Sequence, residues 1–394
     1  MNATPKKVLM VFGTRPEAIK MAPVVQVIKE SETFQGIVAV TAQHREMLDQ
    51  VLDIFDIVPD YDLNIMQEEQ TLFEVTSRAL TGLEEILREV GPDIVIVHGD
   101  TTTTFTTALA AFYLQIPVGH VEAGLRTGNK YAPFPEEVNR HLTAVITDIH
   151  FAPTARARSA LLLEGVAPER IFVTGNTVID ALYQVVKPGY RFKNPIVQEA
   201  VSSGYPLILV TTHRRENWGE PLRNVYRAIR RTVLTHPDLA VVFPVHRNPV
   251  VYDAAVAAFA GCPRVYLTEP LRYDDFANLM AKSFLVLTDS GGLQEEAPAL
   301  GKPVLVLRDV TERPEAVEAG TVAVVGTEEG RIFAALERLL NDTAAYERMA
   351  NAVNPYGDGK AAPRIRDGLL YHFGLGPRPE EFGPEKSSAR HKDF

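Results

Sequence analysis

Short, unbroken runs of valine, isoleucine and leucine recur along this chain, and they constrain the fold more than any other feature of the sequence. Such runs are typical of strands buried on both faces, as in parallel sheets covered by helices. A first series lies at residues 7–13, 36–42, 93–99, 117–123, 149–153 and 170–175. A second series lies at residues 207–213, 240–246, 264–269, 284–289, 303–309 and 321–326. Segments between them, such as 47–55 and 72–90, carry apolar residues at three- and four-residue spacing, which predicts helices.

The two series predict an α/β protein with two doubly wound domains, which also suits a length of 394 residues. The loop-like stretch "KPGYRFKNP" falls in the expected connection at residues 176–205. We therefore predict one domain over residues 1–176 and a second over residues 177–360. Residues 376–394 have few aliphatic side chains and are predicted to be disordered.

The composition argues against several functions. The net charge of −10 repels nucleic acid and anionic membranes, so an anionic ligand would need local clusters of positive charge. The single cysteine, Cys262, excludes an internal disulfide and fits a reducing compartment. No apolar run approaches about 18 residues and no signal-peptide core follows the amino terminus, so we expect a cytoplasmic protein. The scattered acids and the lack of a cysteine cluster predict that no metal is bound.

Polar residues stop seven of the apolar runs. They are Gly13–Arg15, Gln43–Arg45, His98–Asp100, Glu122, His213–Arg215, His246–Arg247 and Asp289–Gly292. Strand ends are polar in any protein, but ligands of doubly wound sheets bind at the carboxyl ends of strands. Seven such ends, several with histidine, arginine or a carboxylate, predict a ligand-binding cleft between the two domains.

The stretch "LTDSGGLQEEAPALGKPV" at residues 287–304 indicates a nucleotide diphosphate. Asp289 or Ser290 can cap the following helix, and two glycines let the backbone approach a phosphate closely. Glu296 can accept hydrogen bonds from ribose hydroxyls, and Arg313 adds a cation one strand later. The alternative is an ordinary glycine-containing helix start with acidic residues in its first turn.

In "FGTRPEAIKMAP" at residues 12–23, Thr14 and Glu17 have capping-box spacing, so Glu17 is predicted to be a cap rather than a catalyst. Helix capping does not require Arg15 or Lys20. Cations beside a helix amino terminus are unfavourable unless an anion is bound there, so these two predict an anion site.

Further candidates follow other strands. Glu122 ends an apolar run where a structural strand rarely places a charge, which predicts a functional role. Glu136 is a second candidate, although a four-residue ion pair with Arg140 would also explain it. In "VHGDTTTT", the threonines after Asp100 either fix that carboxylate or cap the next helix.

Two histidine motifs also follow strands. In "TTHRREN", His213 precedes two arginines and could donate to a phosphate. "PVHRNP" is a weaker version of the same pattern, in which His246 could equally hold its loop together.

Together these stretches resemble the non-hydrolysing UDP-N-acetylglucosamine 2-epimerases over residues 7–370. The motifs that carry the resemblance are "FGTRPEAIKMAP", "TAQHREMLDQVL", "VHGDTTTT", "IPVGHVEAGLRT", "PEEVNR", "GNTVIDAL", "HRREN", "LTDSGGLQEEAP" and "RDVTERPEA". The resemblance implies two Rossmann-like domains with an interdomain cleft, the glycosyltransferase B type, and a helix at residues 361–373 that packs back on the first domain. It implies interconversion of UDP-GlcNAc and UDP-ManNAc for surface polysaccharide, by elimination of UDP to a 2-acetamidoglucal and re-addition, without a cofactor. It also implies a homodimer.

The resemblance assigns roles by motif. Residues implied to bind the UDP-sugar are Arg15, Lys20, Asp100, Glu122, His213, Phe276, Ser290, Gly291, Gly292, Glu296 and Arg313. Among these, Asp100, Glu122 and His213, together with Glu136, are implied to be catalytic. A second UDP-GlcNAc is implied to act as an activator at Gln43, His44, Gln70, Arg214 and His246. The chain departs from the pattern at Leu271, where many members have a glutamine.

Three alternative functions remain open. A glycosyltransferase shares the fold and would need an acceptor. A hydrolysing epimerase would release free ManNAc and UDP. A nucleotide-sugar sensor would keep the phosphate-binding residues without needing Asp100, Glu122 and Glu136 together.

Overall fold

The computed structural model of the protein describes residues 4–42, 45–67 and 70–383, and it divides into two compact units. Unit 1 comprises the described residues up to Tyr183 together with Tyr356–Gly383, and unit 2 comprises Gln184–Pro355. The chain thus leaves unit 1 after Tyr183 and returns to it at Tyr356, whereas the sequence placed these boundaries at residues 176 and 360.

Within the described residues, unit 1 is built on a parallel sheet of seven strands. In chain order the strands are β1 (Lys6–Phe12), β2 (Phe34–Val40), β3 (Tyr61–Asp62), β4 (Ile94–His98), β5 (Val118–Val121), β6 (Ile149–Ala152) and β7 (Ile171–Val173). Their order across the sheet is β3-β2-β1-β4-β5-β6-β7. The winding therefore reverses between β1 and β4, which is the position where doubly wound sheets bind ligands.

Helices connect these strands. They are α1 (Arg15–Lys29), α2 (Arg45–Ile54), α3 (Leu72–Val90), α4 (Thr102–Tyr113), α5 (Glu136–Ile146), α6 (Ala155–Leu163) and α7 (Thr177–Val185). The predicted helix at residues 72–90 has the same bounds as α3, because its cap Thr71 and the left-handed Gly91 mark both ends in the sequence. Leu83 and Leu87 of α3 pack against Val95 and Val97 of β4 in a fully buried core.

Unit 2 repeats this plan with a parallel sheet of six strands in its described residues. The strands are β8 (Leu207–Thr211), β9 (Ala240–Pro244), β10 (Val265–Thr268), β11 (Leu285–Thr288), β12 (Val304–Val306) and β13 (Val322–Val324). Across the sheet they run β10-β9-β8-β11-β12-β13, so the winding reverses between β8 and β11. The helices are α8 (Pro195–Ser202), α9 (Glu220–Thr235), α10 (Pro249–Phe259), α11 (Tyr273–Lys282), α12 (Leu293–Ala299), α13 (Pro314–Glu318), α14 (Glu329–Asn341) and α15 (Thr343–Ala350).

The last helix, α16 (Ala361–His372), belongs to unit 1. The Asp180 carboxylate accepts hydrogen bonds from the first two backbone N–H groups of α16, those of Ala361 (3.1 Å) and Ala362 (2.9 Å). Gly368 lies so close to Phe151 of β6 that a Cβ at this position would come within 2.7 Å of the ring. Helix and sheet are therefore in close contact.

The prediction of disorder from residue 376 onward is wrong for residues 376–383. The Phe382 N–H donates 2.8 Å to the Val173 carbonyl at the open edge of β7, and the Phe382 ring is buried. The Arg378 guanidinium donates 2.8 Å to the Ile171 carbonyl and lies 4.4 Å from the centre of the Phe172 ring. These few contacts hold the segment against β7, although its composition is typical of a disordered segment. Residues 384–394 lie outside the described residues.

Candidate active site

One carboxylate, that of Glu17, ties the turn after β1 to the turn after β4. Its Oε2 accepts hydrogen bonds from the N–H groups of Gly13 (3.0 Å) and Thr14 (2.8 Å), which forms the predicted capping box. Its Oε1 accepts from the hydroxyls of Thr101 (2.6 Å) and Thr104 (3.1 Å). Burial raises the pKa of Glu17 above its usual range, and these hydrogen bonds oppose that effect. The predicted capping role is confirmed, and the cap also joins the two turns.

The threonines after Asp100 also make contacts that hold the turn after β4 in place. Thr101 is the N-cap of α4, because its hydroxyl accepts a hydrogen bond from the Thr104 N–H. The Thr103 hydroxyl lies 2.9 Å from that of Thr41, which follows β2, and a Cβ at Gly13 would collide with both. Of the two roles predicted for the threonines, helix capping is confirmed for Thr101.

Lys20 and Glu122 form a partly buried ion pair beside these turns. Lys20 lies in the second turn of α1, whereas Glu122 follows β5 and has a left-handed backbone with φ of 62°. The side-chain amide of Asn176 donates 2.8 Å to Glu122 Oε2. Left-handed backbone at a non-glycine residue is strained and persists where surrounding contacts hold it, often at functional sites. The sequence predicted that Lys20 binds an anionic ligand; in the structure Lys20 is paired with a carboxylate of the protein itself, that of Glu122.

Asp100 follows β4 and pairs with Arg140 of α5, which donates from Nη2 to Oδ2. The neighbouring Asn139 donates 3.0 Å to the Asp100 carbonyl oxygen and fixes the same turn. Burial raises the pKa of Asp100 above its usual range; Arg140 lowers it, and the nearby Glu122 raises it. A carboxyl group with a raised pKa is better suited to proton transfer near neutral pH than an ordinary aspartate.

The two glutamates that begin α5 have different surroundings. Burial favours a raised pKa for Glu137, but 3.0 Å hydrogen bonds from the N–H groups of Thr127 and Gly128 hold it below the usual range. Among the described residues Arg140 pairs with Asp100 and, at 3.3 Å, with Glu137, so the predicted alternative of a Glu136–Arg140 pair is wrong. Glu136 is half-buried, and its charge acts on Asp100. Glu137 thus supports the loop before α5.

Two buried histidines adjoin these carboxylates. His98 ends β4 and is 3% exposed, and its Nε2 lies 3.8 Å from Glu122 Oε2. The Nε2 of His120 in β5 lies 2.7 Å from the Gly99 carbonyl oxygen. Burial lowers the pKa of His98 to about 3 and that of His120 to about 4, so both rings are neutral at pH 7. We refer to Lys20, His98, Asp100, Glu122 and Arg140 as the unit 1 cluster.

In unit 2 the corresponding place, between β8 and β11, is organised by Asp289. This carboxylate is fully buried and accepts hydrogen bonds from the N–H groups of His213 (3.0 Å) and Arg214 (2.9 Å) and from the Asn217 amide (3.2 Å). Burial alone would raise the pKa of Asp289, but the side-chain contact from His213 and the backbone donors lower it below the usual range. The predicted capping of α12 by Asp289 or Ser290 is wrong: Gly292 is the N-cap, without a side-chain cap hydrogen bond.

Asp289 also orients the imidazole of His213. The Nδ1 of His213 lies 3.0 Å from Asp289 Oδ1, and the side chain of His213 is 38% exposed. A carboxylate on Nδ1 fixes that nitrogen as the donor, so Nε2 accepts a hydrogen bond when the ring is neutral and donates one when it is charged. His213 is therefore held in one orientation beside the turn that follows β11.

Two guanidinium groups converge on Gly291 in that turn. A Cβ on Gly291 would lie 3.9 Å from Arg313 Nη2 and 4.0 Å from Arg214 Nη2. Arg313 is steadied by a hydrogen bond from its Nε to Glu295, and Arg214 has a buried Nε. Arginines are the residues of choice for recognising phosphate. The structure thus places His213 and Arg313 of the predicted phosphate residues near Gly291 in unit 2, together with Arg214, which the resemblance assigned to the activator. Arg15 and Lys20, also predicted to bind an anion, lie in unit 1. We refer to His213, Arg214, Asp289, Gly291 and Arg313 as the unit 2 cluster.

The residues predicted to contact the ribose and the base lie on α11 and α12. Glu296 is buried in α12, and the Tyr273 hydroxyl of α11 donates 2.9 Å to its Oε1. Phe276 lies one turn after Tyr273 and is half-buried. Leu271, just before α11, is 7% exposed.

The residues implied to bind an activator are distributed over both units. His246 of unit 2 stacks on His213 with ring centroids 6.2 Å apart, and burial, followed by the charge of His213, lowers its pKa. Gln70 belongs to unit 1, where its Oε1 accepts 3.1 Å from the Gln67 N–H. Gln43 and His44 lie outside the described residues.

Arg15 begins α1 and is half-buried. In residues 4–42, 45–67 and 70–383, no three His, Cys, Asp or Glu side chains are grouped so that they could hold a metal ion. No helix in the same part of the chain is both long and apolar enough to cross a membrane.

Comparison with known proteins identifies the family and the fold. The sequence profile of the UDP-N-acetylglucosamine 2-epimerase family matches residues 26–370. The UDP-N-acetylglucosamine 2-epimerase of Bacillus subtilis is 58% identical over 368 residues, which cover 93% of this chain and 96% of the relative. A similar crystal structure is that of the UDP-GlcNAc 2-epimerase from Neisseria meningitidis bound to UDP-GlcNAc. The sequences are 49% identical and the structures have a TM-score of 0.83, and the match covers 93% of this chain and 100% of the other.

A more distant solved structure is that of the Methanocaldococcus jannaschii UDP-GlcNAc 2-epimerase in complex with UDP-GlcNAc and UDP. It is 35% identical, with a TM-score of 0.75, and covers 93% of this chain and 99% of the other. The predicted fold class, two Rossmann-like domains of the glycosyltransferase B type, is confirmed by the two parallel sheets and by these likenesses. With a profile match over most of its length, the chain belongs to the UDP-N-acetylglucosamine 2-epimerase family.

Proposed function

We propose that the protein interconverts UDP-GlcNAc and UDP-ManNAc by inverting C2 of the sugar, without hydrolysing the nucleotide sugar, and that the product serves surface polysaccharide synthesis. The observation that carries the proposal is the unit 1 cluster, in which the carboxylates of Asp100 and Glu122 are each paired with a cation. The relatives from Neisseria meningitidis and Methanocaldococcus jannaschii were solved with UDP-GlcNAc, the substrate that the proposal requires.

The unit 2 cluster is suited to hold the UDP moiety. Arg214 and Arg313 would bind the diphosphate above Gly291, where the lack of a side chain allows close approach. His213, oriented by Asp289, would donate a further hydrogen bond from Nε2 when its ring is charged. Glu296 would accept from the ribose hydroxyls, and the backbone near Phe276 would recognise the base. These groups would also stabilise UDP as it leaves with the bonding electrons.

The C2 hydrogen of the sugar is not acidic, so direct deprotonation cannot invert this carbon. Elimination avoids the difficulty. A base takes the proton from C2, the C2–H electron pair forms the C1=C2 double bond, and the C1–O bond breaks with its electrons leaving on UDP. The bound 2-acetamidoglucal then receives a proton on the other face of C2, and UDP adds back to C1. Both directions need a group that can hold a proton near C2.

Asp100, Glu122 and Glu136 are the proposed proton carriers. Asp100 has a raised pKa because of its burial, which suits a group that gains and loses a proton during turnover. Glu122 is held in a strained backbone position by Lys20 and Asn176, which fixes where its carboxylate points. Lys20 and Arg140 would balance the charge while a carboxylate is ionised.

The test is NMR of the purified protein with UDP-GlcNAc alone in D₂O, without added metal or acceptor. We expect UDP-ManNAc to form, with deuterium at C2 of both nucleotide sugars. Free ManNAc together with UDP would identify a hydrolysing epimerase instead. An unchanged spectrum would contradict the proposal and favour a glycosyltransferase or a sensor, which an acceptor screen and a UDP-binding measurement would distinguish.

We also propose that the protein is a homodimer and that unit 1 provides the contact. Helix α5 exposes a stripe of three apolar residues at helical spacing, Val138 (37% exposed), Leu142 (42%) and Val145 (85%). Phe112 and Tyr113, at the end of the adjoining α4, are 58% and 66% exposed. Exposed apolar groups of this kind mark protein interfaces more often than isolated surface residues do.

Val145→Glu is expected to convert the dimer into a monomer, because the interface would then contain an unpaired buried charge. Sedimentation velocity at micromolar concentration measures the change. Leu163→Glu in α6 is the matched control, since Leu163 is equally exposed at 89% and lies outside the stripe. A Val145→Glu protein that sediments like the Leu163→Glu control would contradict the proposed interface.

A further inference from the structure

His98 lies within the unit 1 cluster, yet its ring makes no hydrogen bond to another of the described residues. Both ring nitrogens are buried. Nε2 lies 3.8 Å from Glu122 Oε2, which is beyond hydrogen-bond distance. Buried polar groups without a partner are unfavourable and rare in native proteins, so this one requires an explanation.

A protonated Glu122 would supply the missing contact. As an ionised carboxylate Glu122 can only accept, and its Oε2 accepts from Lys20 and from Asn176. The neutral His98 ring carries one N–H and one acceptor nitrogen, and burial disfavours its charged form. If Glu122 bears a proton, a shift of about 1 Å would bring its O–H within hydrogen-bond distance of Nε2.

We propose that His98 is a positioning residue that accepts a hydrogen bond from Glu122 while Glu122 holds the proton exchanged with C2. This inference rests on the proposed function, because it assigns that proton to Glu122. In one direction of the reaction the proton reaches Glu122 when the C2–H bond on its face breaks, and in the reverse direction it leaves Glu122 as that bond forms. The opposite face of C2 is served by another of the proposed proton carriers. The imidazole neither gains nor loses a proton. It stabilises the neutral carboxylic acid and so makes the proton available for return to carbon.

Charged and titratable groups from every neighbouring element act on this proton. Those that act on it are Lys20 of α1, His98 and Asp100 at and after β4, and His120 of β5. Arg140 of α5 acts through Asp100, with which it pairs. Lys20 and the Asn176 amide favour the ionised Glu122, and the negative charge of Asp100 favours the protonated one. Loss of His98 would therefore remove a contact that favours the protonated form, while the two donors would remain.

The experiment compares His98→Phe, His98→Gln and His98→Asn. Phenylalanine fills the space without a polar atom. Glutamine can place a polar atom near the position of Nε2, whereas asparagine places one near that of Nδ1. For each protein, kcat and KM for UDP-GlcNAc are measured between pH 5 and pH 9. The titration of the Glu122 carboxyl carbon is followed separately by ¹³C NMR of the unliganded protein.

His98→Phe is expected to lower kcat about 10- to 100-fold and to leave KM within about twofold. The limb of the kcat profile that requires protonated Glu122 should move about one pH unit lower, since the hydrogen bond that stabilises this form is lost. The NMR midpoint should move in the same direction. His98→Gln should restore both readouts and His98→Asn should not.

A His98→Phe profile that keeps its shape, together with an unchanged NMR midpoint, would show a packing role alone and overturn the proposal. A shift to higher pH would mean that the ring donates to the ionised carboxylate, and it would overturn the proposal as well. If His98→Phe does not fold, the contrast between His98→Gln and His98→Asn decides. If the wild-type protein does not epimerise UDP-GlcNAc, the proposed function fails, while the NMR midpoints still decide the His98–Glu122 contact.

Discussion

Asp100→Asn is expected to lower kcat for C2 epimerisation about 10²- to 10⁴-fold, the loss typical of removing a general acid or base. Asparagine has the size of aspartate and can still accept the hydrogen bond from Arg140, so the turn after β4 should keep its shape. An amide cannot take up or release a proton in this pH range. The proposed UDP site lies on other residues, so KM should stay within about threefold. The measurement is the NMR assay at several concentrations of UDP-GlcNAc up to saturation, which gives both kcat and KM.

Asp148→Asn is the matched control, with the same change of charge on the same sheet. Asp148 precedes β6, at the opposite end of the sheet from Asp100, and its side chain is 45% exposed. Its Oδ2 accepts 2.9 Å from the Val118 N–H, a bond that asparagine can preserve. We expect wild-type kcat. A comparable loss in both variants would point to net charge as the cause, and wild-type kcat in Asp100→Asn would remove Asp100 from the chemistry.

The strands were predictable because their signal is local. A strand buried on both faces shows as a run of apolar residues, and each of the predicted segments overlaps an observed strand. One observed strand, β3, has no counterpart among the predicted segments. It consists of Tyr61–Asp62 and pairs with Ala39 and Val40 at the sheet edge, and two residues are too few to leave a periodic pattern.

The sequence could predict that the candidate site residues lie at the ends of strands. It could not predict which of these residues form ion pairs with one another. Lys20 and Glu122 are 102 residues apart, and Asp100 and Arg140 are 40 apart. No spacing rule links residues so distant, because only the order of strands in the sheet brings them together. Helical spacing therefore offers Glu136 as an alternative partner of Arg140, whereas the fold pairs Arg140 with Asp100.

Asp289 shows the same limit in unit 2. Its position before two glycines and a helix suggested a cap, since capping is a local pattern. The fold instead sets β8 beside β11, so the turn after β8 delivers its N–H groups to the Asp289 carboxylate. Part of each cluster thus follows the strands where the winding reverses, β1 and β4 or β8 and β11, while Glu122 follows β5 and Arg313 follows β12. The reversal of winding at these places leaves room for side chains from both turns.

Asp289→Ala is expected to lower the unfolding free energy of unit 2 by about 3–5 kcal/mol and to abolish UDP binding. Alanine would leave the N–H groups of His213 and Arg214 and the Asn217 amide without their acceptor in a buried place. Trp218, the single tryptophan, follows this turn, so its fluorescence in a urea titration reports on the loss. Calorimetry with UDP measures binding. Asp238→Ala, on an exposed loop of unit 2, is the control and should match the wild type.

The pH dependence of stability and the variant Asp289→Asn distinguish the effect of the negative charge of Asp289 from the effect of its hydrogen bonds to the turn. Because the folded pKa of Asp289 is lowered, its stabilising effect is complete above the unfolded value, about 4, and is lost as the pH falls through the folded pKa. The wild type should therefore lose stability below about pH 4 more steeply than Asp289→Asn, which does not ionise there. Asparagine still offers one oxygen to the N–H groups, so this variant should fold, yet it should bind UDP more weakly because His213 loses its orienting charge. Parallel acid titrations of the two proteins, or unchanged UDP affinity in Asp289→Asn, would show that Asp289 shapes the turn without acting on His213.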